Sequence, residues 1–123
     1  MGKRPSVLVI EQQQSTRTTL EMTLSHEGMR VFSATSLGSA LLQLRVLRPD
    51  LIIVSFDRYD PEECAAVAQI KALSPAPVLV LGNATGTSRG PGSADCLTYP
   101  LNIEQLCAKV ALVLDTRVLP HPP

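Results

Sequence analysis

The chain has 123 residues, with 11 basic and 11 acidic side chains, so its formal net charge is zero. That length predicts one domain, large enough to bury a core without disulfide or metal cross-links. A neutral balance argues against a domain that binds nucleic acid or a membrane surface, both of which need a basic excess, and no apolar stretch approaches the length of a membrane span. The three cysteines, Cys64, Cys96 and Cys107, are scattered without a CxxC pair, which is typical of a reducing cytoplasm. We therefore expect a cytoplasmic domain.

The first quarter of the chain predicts a strand followed by a helix. Residues 6–10, SVLVI, form an apolar run of the kind found in buried strands. A helix is predicted over 15–26, with Ser15 and Thr16 available to cap its start. Gly28 then stands where a helix commonly ends in a left-handed conformation.

A second strand–helix pair and a central strand come next. Residues 29–34 predict the second strand, and Ser36 can cap the following helix. Residues 49–56, PDLIIVSF, predict a strand buried on both faces, because the apolar run is continuous. The apolar stripe of the second helix comprises Leu37, Ala40, Leu41, Leu44 and Leu47.

The second half of the chain continues the alternation. A helix is predicted over 60–73, a fourth strand over 77–82 and a short fifth strand over 95–99. Asn102 can cap a last helix that runs to residue 117. The side chains expected to pack that last helix on the core are Ile103, Leu106, Cys107, Val110 and Leu114.

Strands that alternate with helices predict a parallel sheet covered on both faces. Five strands of this length favour the flavodoxin-like α/β fold with strand order 2-1-3-4-5, whose ligand site lies at the carboxyl ends of strands 1 and 3. We expect this domain to occupy residues 1–117 and a proline-rich tail or linker to occupy 118–123. Residues 83–94 are rich in Gly, Ser and Thr and have no apolar helical stripe, so a loop is predicted there.

Residues 7–56, the segment PVLVLG at 77–82 and the segment GSADCLTYP at 92–100 resemble the CheY-like receiver domain of bacterial two-component response regulators. The resemblance covers about residues 5–114. It implies transfer of a phosphoryl group from a histidine kinase to an aspartate of the receiver. It also implies that the loop at 83–94 replaces the fourth helix of the family.

Receivers need an acidic pair after strand 1 for Mg²⁺, an aspartate ending strand 3, a Ser or Thr ending strand 4, and a lysine before a proline after strand 5. The corresponding positions of this chain, in that order, carry Glu11 and Gln12, Ser55, Gly82 and Tyr99. The aromatic switch position carries Cys96, and only Pro100, which the family commonly holds in a cis peptide, keeps its type. The chain therefore resembles a degenerate receiver.

The chemistry of these residue types leads to the same interpretation. Mg²⁺ needs several oxygen ligands, and Glu11 is a single carboxylate, so we expect no metal and no cofactor. A hydroxyl at Ser55 is a poor nucleophile without a neighbouring base. We therefore expect a non-enzymatic signalling module that acts through protein contacts. One alternative is a small-molecule or nucleotide site at Glu11, Ser55 and Tyr99, and another is a working receiver that uses Asp57 or Asp60, although Asp57 is expected in a loop beyond strand 3.

Loss of a helix between strands 4 and 5 would leave Val80, Cys96 and the flank of the last helix in need of cover. We expect the partner surface there, in the form of a homodimer or a contact with another protein. Tyr59 is a further candidate contact, because exposed aromatic side chains anchor interfaces. The residues assigned to the main surface are Arg89 and the rest of the loop over 83–94, strand 5, and Ala108, Ala111 and Leu112 of the last helix.

Overall fold

The computed structural model describes residues 4–58, 61–83, 95–98 and 102–118. Within them, strands and helices alternate as the sequence predicts. The elements are β1 (Ser6–Ile10), α1 (Gln14–His26), β2 (Arg30–Ala34), α2 (Leu37–Gln43), β3 (Leu51–Arg58), α3 (Pro61–Leu73), β4 (Val78–Asn83), β5 (Asp95–Thr98) and α4 (Ile103–Val118). No helix in these ranges is long and apolar enough to cross a membrane.

The five strands form one parallel sheet in the order β2-β1-β3-β4-β5, which confirms the flavodoxin-like topology. Neighbouring strands pair in a register that aligns four of them in one row. Ile10 pairs with Val54, Val54 with Val80, and Val80 with Cys96. Because all strands run the same way, the residues that follow this row come together at the carboxyl edge of the sheet.

Each face of the sheet has its own apolar core, since successive strand residues point to opposite faces. Leu8, Ile10, Ile52 and Val54 pack on the side that carries α2 and α3, where they meet Ala40, Val67 and Ile70. The opposite core, on the side of α1 and α4, contains Val7, Val9, Leu20, Leu24, Ile53, Leu79, Leu81, Leu106, Val110 and Leu114. Burial on both faces explains why the three central strands have continuous apolar runs.

Three of the helix signals are confirmed. Ser36 caps α2 by accepting a hydrogen bond from the Ser39 amide, at 3.2 Å. Asn102 caps α4 in the same way, with 3.0 Å between its Oδ1 and the Gln105 nitrogen. Gly28 has a φ of 90°, the left-handed conformation in which glycine is favoured because it has no Cβ.

Three expectations about strand length and burial are wrong. β3 continues to Arg58, so Asp57 is a strand residue and not a loop residue. Ile103, expected in the core, is 42% exposed, because the first turn of α4 extends past the buried stripe that begins at Leu106. Val80, expected to need cover, is already buried with the α2 and α3 core.

Candidate functional site

Glu11 and Ser55 lie side by side at the carboxyl edge of the sheet. Ile10 pairs with Val54, so the next residues of the two neighbouring strands are level with each other. The Glu11 amide also donates to the Ala34 carbonyl at 3.0 Å, which continues the pairing of β1 with β2 past Ile10. Glu11 is only 7% exposed, and Ser55 is half-buried. The edge expected to carry the site therefore does bring these two predicted residues together.

The Glu11 carboxylate caps α1. Its Oε2 accepts a hydrogen bond from the Gln13 amide at 2.7 Å. The prediction that Ser15 or Thr16 caps this helix is wrong, because α1 begins at Gln14, with Gln13 at the cap position and no side-chain bond from Gln13 to the helix backbone. A buried carboxylate two residues upstream supplies the acceptor instead, next to the positive end of the helix.

Arg17 closes the same turn from the other side. Its Nη1 donates to the Glu11 carbonyl at 3.1 Å and to the Gln12 carbonyl at 3.3 Å. The sequence analysis did not identify this residue. A signal was available, because the start of α1 has no acidic side chain and a cation near a helix start is unfavourable unless something else holds it. In the β1–α1 turn, the Gln13 amide is thus hydrogen-bonded to the Glu11 carboxylate, and the carbonyl groups of Glu11 and Gln12 are hydrogen-bonded to the Arg17 guanidinium.

The described donor set does not fit a magnesium ion. Glu11 offers one carboxylate, and one of its oxygens already accepts the Gln13 amide. Gln12 is an exposed amide and Ser55 contributes a hydroxyl, neither of which carries charge. Across the described residues, no group of three or more His, Cys, Asp or Glu side chains could hold a metal ion. A hard divalent ion normally binds several oxygens with at least one free carboxylate, so these residues are unsuited to it.

The remaining predicted positions divide into two groups. Gly82 is buried and pairs with Phe56 and with Thr98, one row beyond Ser55. Asp57 stands between Phe56 and Arg58, where the β3–β4 register shifts. Outside the described residues lie Tyr59, Asp60, Arg89, Tyr99, Pro100 and the loop over 84–94, so the cis peptide and the replaced helix stay predictions.

One face of α4 carries the apolar residues that were assigned to a partner surface. Leu106, Val110 and Leu114 are buried on the sheet. Ala108 and Ala111 are exposed, and Leu112 is 60% exposed. Because these three residues are spaced by three and four, they form one stripe on the outer side of the helix.

Cys107 lies between those two faces of α4 and is half-buried. Burial raises the pKa of its thiol, and the carboxylate of Glu27 adds to that effect. The thiol form is therefore favoured at this position. This chemistry is the opposite of a reactive cysteine, whose pKa is lowered by a neighbouring cation or a helix start.

Comparison with known proteins identifies the class. The chain is 32% identical over 114 residues to the KDP operon transcriptional regulatory protein KdpE of Escherichia coli, which corresponds to 89% of this chain and 51% of KdpE. The structure matches a two-component response regulator from Clostridium difficile with a TM-score of 0.81 and 20% identity, over 94% of this chain and all of the other. It matches the chemotaxis protein CheY4 of Vibrio cholerae with a TM-score of 0.72 and 24% identity, over 90% of this chain and 99% of CheY4.

The fold and the sequence agreement define a CheY-like receiver domain. More particularly, the chain is a receiver domain of the response regulators of two-component signalling, as its resemblance implied. It spans about half the length of KdpE. No protein-family model matches the chain.

Proposed function

We propose that this receiver domain signals through protein–protein contacts and does not accept a phosphoryl group. The observation that carries the proposal is the pairing at the edge of the sheet. The position that ends the apolar run of β3 is a serine, and the Glu11 carboxylate beside it is engaged as the cap of α1. A phosphoryl acceptor and its metal need two or more free carboxylates at this place.

We propose that the polar side chains at the carboxyl edge of the sheet stabilise the fold and take no part in a reaction. A serine hydroxyl needs a base to become a nucleophile, and the neighbouring carboxylate at Glu11 already accepts a backbone hydrogen bond. Arg17 is the nearby cation, and it donates to two carbonyl groups of the turn. The residue at the lysine position is Tyr99 by sequence, which supplies no positive charge for transferred oxygens.

The proposed contact surface is the outer stripe of α4, with Ala108, Ala111 and Leu112 at its centre. Its support is the exposure of three apolar side chains on one face of a helix whose other face is buried. We propose strand β5 and the loop over 83–94 as its flank. A two-fold homodimer is the proposed arrangement, since self-complementary pairing is the commonest way to close such a stripe.

The test is incubation of the protein with acetyl phosphate and MgCl₂, followed by intact mass. We expect no gain of a phosphoryl group. In parallel, titration with beryllofluoride and Mg²⁺ should leave the amide NMR signals of Glu11, Gln13 and Ser55 in place. A mass gain, or a saturable shift of these signals, would overturn the proposal.

The course of β3 favours a second candidate, a working receiver that uses Asp57. This residue belongs to the strand, at the point where the pairing with β4 becomes irregular, so an acidic residue does stand at the carboxyl end of β3. Asp57→Asn separates the two functions. A phosphoryl gain that is present in the wild type and lost in Asp57→Asn would establish this candidate, and Ser55→Ala is the matched control that should leave such a gain unchanged.

A further inference from the structure

Two exposed aliphatic side chains lie at the end of α2 and in the turn that follows it. Leu42 is 66% exposed and Val46 is 87% exposed. The Arg45 amide donates to the Leu42 carbonyl at 3.2 Å, and the Val46 amide donates to the Gln43 carbonyl at 3.1 Å. Both bonds run to the third residue before, as in a tight turn, and the Leu47 amide donates to the Gln43 carbonyl at 2.7 Å, so the chain keeps winding past the end of α2 and Val46 lies about one turn beyond Leu42.

Three arginines accompany this aliphatic pair, two in the same segment of the chain and one on the same side of the sheet. Arg45 and Arg48 are exposed in the segment that follows α2. Arg30, at the start of the edge strand β2, lies over the Phe32 ring with 5.7 Å between the guanidinium carbon and the ring centroid. Phe32 packs with the core beneath α2, so the cation of Arg30 lies on the same side of the sheet as α2.

Two carboxylates whose side chains the structure describes, those of Asp50 and Glu21, have hydrogen-bond partners other than these arginines. Residues 35–49 contain no Asp or Glu. Asp50, which follows, accepts the Ser6 amide at 2.9 Å. Glu21 accepts the hydroxyl of Ser33, which points to the face of β2 opposite Phe32. Asp50 and Glu21 thus accept hydrogen bonds from serine and backbone groups, and the segment 35–49 itself carries only positive charge, although the chain as a whole is neutral.

We propose that Leu42, Val46, Arg30, Arg45 and Arg48 form a docking surface, here called the α2 surface, for an acidic protein segment with aliphatic side chains. The occupant follows from charge and polarity together. The arginines attract carboxylates and set orientation, while the aliphatic pair needs an apolar counterpart that is removed from water on binding. This surface is separate from the carboxyl edge of the sheet and from the outer stripe of α4.

Other occupants meet this chemistry less well. A phosphate backbone pairs with arginine but offers nothing to Leu42 and Val46. A membrane-surface helix buries a longer apolar face than the seven residues of α2 provide. A second copy related by a two-fold axis would bring the same arginines towards each other, which like charge disfavours.

The test is NMR titration of the ¹⁵N-labelled full chain with a short synthetic peptide that alternates glutamates with leucine and valine. A peptide with each glutamate replaced by lysine is the comparison. We expect the acidic peptide to shift the amide signals of Leu42, Arg45 and Val46, and the basic peptide to leave them in place. Added NaCl should weaken the acidic peptide's affinity, because exposed charges are screened.

Variants identify the surface. Two double variants are compared: Arg45→Glu with Arg48→Glu, and Leu42→Ser with Val46→Ser. Each should lower the affinity for the acidic peptide about tenfold or more. Met22→Ser, which removes an equally exposed apolar side chain from α1, is the matched control and should bind as the wild type does. Circular dichroism melting of each variant verifies folding.

Three results would overturn the proposal: no shift at millimolar peptide, shifts centred on another surface, or equal affinity in the folded variants and the wild type. Two further probes test the class of occupant. One probe is a DNA duplex and the other is phosphatidylglycerol vesicles. If either binds more tightly than the acidic peptide, and Arg45→Glu with Arg48→Glu weakens that binding equally, the occupant is not an acidic protein segment.

Discussion

The interior of the sheet and its carboxyl edge follow different rules. Inside, Val9, Ile53 and Leu81 belong to adjacent strands and are fully buried against α1 and α4. One residue or two further along the chain lie Glu11, Ser55 and Gly82, at positions where the resemblance to receivers implies carboxylates and a hydroxyl. The interior is that of a receiver fold, whereas the residue types at the edge are the ones from which we propose a degenerate site.

Under the proposed function, this difference means that the fold does not depend on the chemistry at its edge. The interior is stabilised by apolar burial, which is non-directional and tolerates no polar replacement. The edge needs only that its polar groups have partners. Glu11 with the Gln13 amide, and Arg17 with two carbonyl groups, meet that need without a metal.

The largest expected effect is on the interior. Leu106→Ala should lower the free energy of unfolding by about 2–5 kcal/mol, because it leaves a cavity between α4 and the sheet. Urea denaturation of both proteins measures the difference. Leu112→Ala, on the same helix but exposed, should change stability by about 0.5 kcal/mol or less. Equal losses in the two variants would contradict the division of α4 into a buried face and an outer face.

Ser55→Asp restores the expected residue at the edge and should still not create phosphoryl transfer. Glu11 stays engaged as a cap and the lysine position stays tyrosine. The new carboxylate would lie level with Glu11, and the repulsion should raise the native pKa of the introduced aspartate and reduce stability by about 1 kcal/mol at neutral pH.

The pH dependence of Ser55→Asp has a definite sign. A raised native pKa means that the folded state binds more protons, so the deficit should appear as pH rises through the unfolded value of about 4 and should vanish in acid. Thermal melts of the variant and the wild type from pH 3 to neutral pH, about 7, measure it. Acetyl phosphate modification of the variant, or its stabilisation by MgCl₂ to above the wild type, would show that the edge is still able to bind metal.

Removal of the cap should have an effect of similar size. Glu11→Ala leaves the Gln13 amide without its acceptor and should cost about 1 kcal/mol, as the loss of other helix caps does. Glu11→Gln keeps an acceptor of similar shape and should cost less. We assign this carboxylate to the helix and not to a metal. Adding MgCl₂ should therefore not change the midpoint of thermal unfolding of the wild type or of either variant. A magnesium-dependent rise in this unfolding midpoint that is absent in Glu11→Gln would show that Glu11 is a metal ligand.

The order of elements and the sheet topology could be predicted from the sequence, because both depend on periodicity. Continuous apolar runs identified the central strands, and Ser36, Asn102 and Gly28 marked helix boundaries through their own backbone chemistry. These are local signals, in which a residue type acts on its immediate neighbours.

The details of the edge depend on contacts that residue type alone does not specify. The cap of α1 is a carboxylate two residues before the cap position, and serine and threonine were the better candidates by type. Strand β3 extends through Asp57, although polarity begins at Ser55, because pairing with β4 continues to Asn83. In both places a contact with another element overrides the local pattern.

The outer stripe of α4 provides a test that does not perturb folding. If it mediates the proposed homodimer, the wild type should show a dimer mass at high concentration in sedimentation or light scattering, and Leu112→Glu should be a monomer. Met22→Glu, which places the same charge on an equally exposed apolar position of α1, should leave the mass unchanged. A wild type that stays monomeric, together with a Leu112→Glu variant that binds each identified partner normally, would exclude the stripe as the interface.

The smallest expected effect concerns Cys107, at the boundary between the buried and outer faces of α4. Burial, with a contribution from Glu27, raises the pKa of its thiol, so the folded state retains the proton to higher pH than the unfolded chain does. The contribution to stability should therefore be complete below the unfolded value of about 8.5 and should be lost as pH rises through the higher native value. Iodoacetamide should modify Cys107 more slowly in the native protein than in urea at the same mildly alkaline pH, as read from the peptide that contains it. Glu27→Gln should raise the native rate slightly, since that carboxylate is exposed and largely screened. Equal native and unfolded rates would mean that α4 opens readily from the sheet, and hydrogen exchange at Leu106 and Val110 would then show the same opening.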